Sequence, residues 1–118
     1  MGIKQTEETA IKLVLKYLKK KGIKGKRVNR KGYDVHTPDK KIEIKARRKR
    51  SRIFGLNYSN INAFNKNSNI ELWAVIGVGT KNPELIKINK KTLLERKRIR
   101  KYWIFGLKNA ELEKAIKL

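Results

Sequence analysis

The residues of this 118-residue sequence most able to do chemistry lie in two short runs, Gly32-Tyr33-Asp34-Val35-His36 and Ile42-Glu43-Ile44-Lys45-Ala46. Both alternate polar and apolar side chains with a period of two, as half-buried strands do. Between them Thr37-Pro38-Asp39-Lys40 reads as a turn. A hairpin symmetric about Pro38 and Asp39 sets Asp34 directly opposite Glu43. Asp34, His36, Glu43 and Lys45 then share one face, while Tyr33, Val35, Ile42 and Ile44 form an apolar face that must be covered. Two carboxylates about 5 Å apart repel by roughly 3 kcal/mol at an effective dielectric near 20, so the pair calls for a cation. Lys45 supplies part of that charge. A divalent metal would supply more, and Mg²⁺ favours one or two carboxylates completed by waters and a phosphate. An ordinary solvent-facing hairpin is the rival reading of the same four residues.

The surroundings favour a phosphate. Lys and Arg number 32 against 10 Asp and Glu, a formal net charge of +22. Self-repulsion of that size is relieved by a polyanionic partner, whose counterions are released on binding. Arg47, Arg48, Lys49, Arg50 and Arg52 form one basic run, and Arg96, Lys97, Arg98, Arg100 and Lys101 form another. Arginine forks suit bidentate phosphate contacts. These runs are the candidate nucleic-acid surface. No exposed apolar helical face accompanies them, so an anionic membrane is the weaker partner. The sequence has no cysteine and one histidine, His36, which excludes disulfides, thiolate nucleophiles and Cys- or multi-His zinc sites. The longest nearly apolar run, residues 72–78, is far too short to span a bilayer. No signal peptide is expected, and a cytoplasmic protein is.

The elements that must hold these residues are legible in outline. Residues 6–21 carry Ile11, Val14, Leu15 and Leu18 on one helical stripe, with Thr6 as the expected N-cap, Glu7 and Glu8 near the positive end and Gly22 as the stop. On a wheel of 100° per residue Glu7 sits about 30° from the stripe's centre and Glu8 about 70° away. Glu7 is therefore expected to point inward and Glu8 outward. A short extended segment near residues 27–29 precedes the hairpin. A helix is expected at 59–64 with Ser59 as cap, then a buried strand at 73–78 and another at 85–88. A basic helix at 91–98, a strand at 102–105 and a closing helix at 110–118 complete the chain. This order predicts one α/β domain over residues 1–118, a central mixed β-sheet flanked by helices. Tyr33, Trp73, Tyr102 and Trp103 are expected to pack in the core.

In this order and setting Glu7, Asp34, Glu43 and Lys45 resemble the PD-(D/E)XK nuclease superfamily, which includes restriction enzymes, archaeal Holliday-junction resolvases and some homing endonucleases. More narrowly, Glu7-Glu8-Thr9-Ala10-Ile11, Gly32-Tyr33-Asp34-Val35 and Ile42-Glu43-Ile44-Lys45-Ala46-Arg47 are similar to the nuclease-like domain of the NO VEIN type. The likeness runs over about residues 6–88. Asn60 stands where the following helix commonly carries Glu or Gln, and Ala46 where the narrower family has Gly. The resemblance implies a restriction-endonuclease-like fold and a metal-dependent endonuclease that hydrolyses phosphodiester bonds of DNA. It implies Glu7, Asp34, Glu43 and Lys45 as catalytic residues. Asp34, Glu43, Glu7 and the Ile44 carbonyl would serve Mg²⁺ (or Mn²⁺), with Lys45 orienting or deprotonating the attacking water. His36 is a possible assistant on the same face. Cutting both strands needs two centres, hence a homodimer. The alternatives are a non-catalytic basic nucleic-acid-binding module on a nuclease scaffold, and an RNA-associated basic protein of similar composition.

Overall fold

A computed structural model describes every residue except Met1, Lys31 and Arg100, together with all their side chains save that of Arg30. The chain opens with helix α1 (Ile3–Lys20), followed by strands β1 (Lys26–Arg30), β2 (Tyr33–His36), β3 (Lys41–Ala46) and β4 (Ile53–Leu56). Helix α2 (Tyr58–Lys66) leads to β5 (Ile70–Ile76) and β6 (Glu84–Asn89), then α3 (Lys90–Arg96), β7 (Arg98–Ile99), β8 (Trp103–Gly106), α4 (Asn109–Glu113) and β9 (Ile116–Lys117). Six strands form a mixed sheet in the order β1-β2-β3-β5-β6-β9, in which only β3 and β5 run parallel. A separate three-stranded antiparallel sheet has the order β4-β8-β7. The class is α/β with a mixed central sheet, as the order of elements implied.

Two apolar clusters sandwich the large sheet. On one face α1 lays Ala10, Ile11, Val14 and Leu18 over Val35, Ile42, Ile44, Trp73 and Val75. On the other, α2, α3 and the small sheet bury Phe54, Leu56, Phe64, Leu93 and Phe105 against Leu72, Ala74, Ile86 and Ile88. Strand β5 touches both clusters, which is why its seven residues are apolar apart from Glu71. The parallel β3–β5 pair is joined through β4 and α2, a crossover long enough for a helix.

Several elements depart from the sequence expectation. Helix α1 starts a turn early, with Gly2 as its cap; Thr6 lies inside it and returns its Oγ1 to the Gly2 carbonyl at 2.8 Å. The closing helix is only Asn109–Glu113, and the last residues instead form β9 on the edge of β6. Strands β4 and β7 were not expected. Tyr33 leaves the Val35 face and packs against the opposite cluster, directly after Gly32 turns the chain at φ +102°. Tyr102 is exposed rather than core, while Trp73 and Trp103 are buried as expected.

Helix α2 is capped by Asn57, not Ser59. The Asn57 side chain accepts from the Asn60 N–H at 3.0 Å, and the Asn60 side chain accepts from the Asn57 N–H at 3.1 Å. This reciprocal box holds Asn60 at a fixed place in the first turn. Asn57→Ala removes one half of it at an exposed position. A loss of about 1 kcal/mol is expected, readable as a fall of a few degrees in Tm.

Candidate active site

The hairpin pairs as the symmetric turn demands, with Val35 opposite Ile42 and His36 opposite Lys41. The next residues along are Asp34 and Glu43, and their carboxyls lie within hydrogen-bonding reach of each other. Asp34 Oδ2 accepts the Ile44 N–H at 2.9 Å, which locks the aspartate across the ladder. Glu43 is only 5% exposed because α2 covers this face of β3. Its Oε2 accepts from Asn60 Nδ2 at 2.7 Å and lies 3.1 Å from Lys45 Nζ. Lys45 Nζ also donates to Asn60 Oδ1 at 2.9 Å. Asn60, 3% exposed, completes its set by donating to the Gly32 carbonyl at 3.2 Å. Gly32 is obligatory there: a Cβ would lie 2.4 Å from the Ser59 carbonyl oxygen, at a φ that L side chains rarely adopt.

Electrostatics within this cluster are unequal. Burial, then the neighbouring Asp34 charge, push the Glu43 carboxyl up to about 8. Lys45 pulls the other way and loses, since removing a carboxylate from water costs more than one partly solvated ammonium returns. At neutral pH Glu43 therefore keeps its proton. Oε2 of Glu43 and Oδ2 of Asp34 are committed to protein donors. Once Glu43 is ionised, the two carboxylates held side by side by the hairpin are the hard-oxygen donor set that a small divalent cation fits, with further ligands from water or phosphate.

The cluster opens into a groove of about 1360 Å³. Glu7 lines it from α1, while Glu8 turns away and pairs with Arg27. The helix phase is as expected, but Glu7 is exposed at the groove wall rather than pressed into the core. Among the described residues no three acidic or imidazole side chains converge on one point, so Glu7 is not brought together with Asp34 and Glu43 as a third ligand. His36 lies outside the groove lining, exposed, with Nδ1 3.0 Å from the Thr37 carbonyl.

The basic residues divide. Arg47, Arg48 and Lys49 line the groove immediately after Lys45, with Arg47 stacked 5.0 Å above the Phe54 ring. Arg50 is tied to Glu84 at 2.9 Å and to the Leu112 carbonyl, and Arg52 is exposed beyond it. Arg96 is structural: it grips both Glu111 oxygens at 2.7 and 2.8 Å and stacks on Phe105, and it holds the Glu111 carboxyl below the usual range. Arg98 is exposed on the small sheet and Lys101 stands over the Tyr102 ring, while Arg100 lies outside the described residues. Asn60 is the site residue that sequence reasoning left out of the working set. Its signal was present in the Asn57-x-x-Asn60 spacing, a capping box built from two asparagines.

Comparison with family models, curated proteins and solved structures finds no match. The functional reading therefore rests on the residues themselves.

Proposed function

We propose that this chain is a divalent-metal-dependent endonuclease that hydrolyses phosphodiester bonds of DNA. The observation that carries the reading is the Asp34–Glu43–Lys45–Asn60 network on the floor of a groove walled by Arg47, Arg48 and Lys49. A protein that only bound phosphates would gain nothing from two carboxylates facing them. Asp34, Glu43 and the Ile44 carbonyl would hold Mg²⁺ or Mn²⁺, which when bound would supply Lewis-acid polarisation of the phosphate and a more acidic water. The chain's own residues do the rest. Asn60 holds Lys45 Nζ beside Glu43, so the ammonium is placed to orient the attacking water and to balance charge on the phosphoryl oxygens. Arg47, Arg48 and Lys49 grip the backbone on either side of the scissile bond. Cutting both strands of a duplex requires two copies of the site, and a homodimer is part of this proposal.

Incubation with linear duplex, single-stranded and four-way-junction DNA, each with Mg²⁺, with Mn²⁺ and with EDTA, tests the activity. Metal-dependent cleavage of at least one substrate supports it. Binding without cleavage on all of them replaces it with the non-catalytic module. Glu7→Gln should reduce cleavage much more than Glu8→Gln, since only Glu7 faces the groove; the opposite ranking would place the working carboxylate outside it.

Phosphate contacts should dominate affinity. If about 5 phosphates are neutralised, log K falls with log salt at a slope near −4 to −5. Lys49→Ala should make that slope shallower by about one. Arg50→Ala should leave it nearly unchanged, because Arg50 is already held by Glu84. A slope shallower than about −2 for the wild type contradicts a polyanionic partner.

A further inference from the structure

The small sheet carries two glycines that the fold does not require. Gly55 sits within β4 and Gly106 ends β8, neither at positive φ, and a Cβ added to either would meet no atom within 4 Å. Glycine weakens a strand interior and marks places where a ligand or another backbone approaches closely. The register puts both on one surface. Phe54 and Leu56 face the core with Phe105 and Trp103, so their alternates point outward: Ile53 beside Gly106, and Gly55 beside Ile104. Ile104 in turn pairs with Arg98, whose side chain is exposed. Gly55 also lines the groove that holds Lys45. A row thus runs from the acidic pair's groove across the small sheet to Arg98, low at Gly55 and Gly106 and flanked there by the side chains of Ile104 and the exposed Ile53.

We propose that this outer face of the β4-β8-β7 sheet is a track for the sugar–phosphate backbone of the nucleic acid, continuing the groove towards the second basic run. The inference rests on the proposed nucleic-acid-binding function and adds where the strand leaves the site. Charge complementarity selects the occupant. The face is continuous with a groove walled by three basic side chains and ends on an arginine, in a chain of net charge +22.

The absence of steric contact makes the test clean. Gly55→Val and Gly106→Val each place a Cβ where no atom lies within 4 Å and supply a residue that favours strands, so Tm should stay level or rise. Affinity for a fluorescently labelled 25-base-pair duplex, measured in EDTA so that cleavage plays no part, should fall at least tenfold for Gly55→Val and less for Gly106→Val. Arg98→Ala, an exposed change, should make the salt slope shallower by about one. Wild-type affinity retained within twofold in a folded Gly55→Val protein, or in Gly55→Ser should valine misfold, overturns the track. So does an unchanged affinity accompanied by loss of a dimer in sedimentation, which would make the face a contact between copies. If wild-type protein binds no DNA at all, the parent reading fails instead, and the two failures are distinct.

Discussion

Lys45→Met is expected to lower DNA cleavage by a thousandfold or more while duplex affinity changes by only a few-fold. The magnitude follows from what the ammonium does. It is hydrogen-bonded into the acidic network, 3.1 Å from Glu43 Oε2 and 2.9 Å from Asn60 Oδ1. Removing a positioned charge or proton-transfer group from such a centre typically costs 10²–10⁴-fold. Methionine keeps the apolar stem, and Asn60 Oδ1 still accepts the Asn57 N–H, so the fold has no reason to fail. Affinity should persist because, in the proposed complex, most phosphate contacts would fall on Arg47, Arg48 and Lys49 along the groove rather than on Lys45 at its floor. Single-turnover cleavage and EDTA binding titrations, run on the same preparation, separate the two quantities. Cleavage within tenfold of wild type would remove Lys45 from the mechanism; parallel losses of cleavage and binding would mean a structural role.

The parts of this site visible in the sequence were those fixed by local geometry. A Pro-Asp turn of four residues has one sensible symmetric register, and Val35 does pair with Ile42. The apolar stripe of α1 settled which of Glu7 and Glu8 faces the groove. What stayed hidden depends on contacts distant in sequence. Asn60 lies 17 residues from Glu43 and 28 from Gly32, and its role exists only because α2 crosses the sheet there. The basic runs looked uniform, yet Arg50 and Arg96 are occupied by Glu84 and Glu111, partners 34 and 15 residues away. Strand β4 has a glycine at its centre and follows a charged run, so propensity argues against it until β8 pairs with it. The segment closing the chain reads as a helix because Ala110, Glu111 and Leu112 are good helix formers, but the sheet edge beside β6 captures its end as β9.

Without metal, the protein should lose stability as pH rises from about 5 to 8, and Glu43→Gln should abolish most of that loss. An unperturbed Glu releases its proton near pH 4.5, whereas Glu43 in the folded chain holds its own to about 8. Below 4.5 both states bind the proton and the folded state keeps its full advantage. Between the two values the folded chain binds one proton more than the unfolded one, so each added pH unit costs about 1 kcal/mol. Above about 8 the loss is complete and stays constant. Glutamine reproduces the protonated acid: its oxygen accepts from Asn60 and Lys45 as Glu43 Oε2 does, and its amide can donate to Asp34. At pH 8 the metal-free variant should therefore melt well above wild type, and near pH 5 the two should coincide. Asp34→Asn should achieve only part of this, on the order of 1–2 kcal/mol, because burial contributes more to the Glu43 shift than the Asp34 charge does. Its amide oxygen still accepts the Ile44 N–H, so the ladder is kept. Mg²⁺ at ten times its dissociation constant adds about 1.4 kcal/mol to wild type. Its affinity should rise with pH up to about 8, since the Glu43 proton must leave first. Neither acid variant should show that shift. Melts at several pH values in EDTA and in Mg²⁺ decide it, because the difference between wild type and Glu43→Gln cancels every other titrating group. Parallel stability curves for the two proteins, with equal responses to Mg²⁺, would mean that Glu43 holds no proton at neutral pH and shares no metal with Asp34.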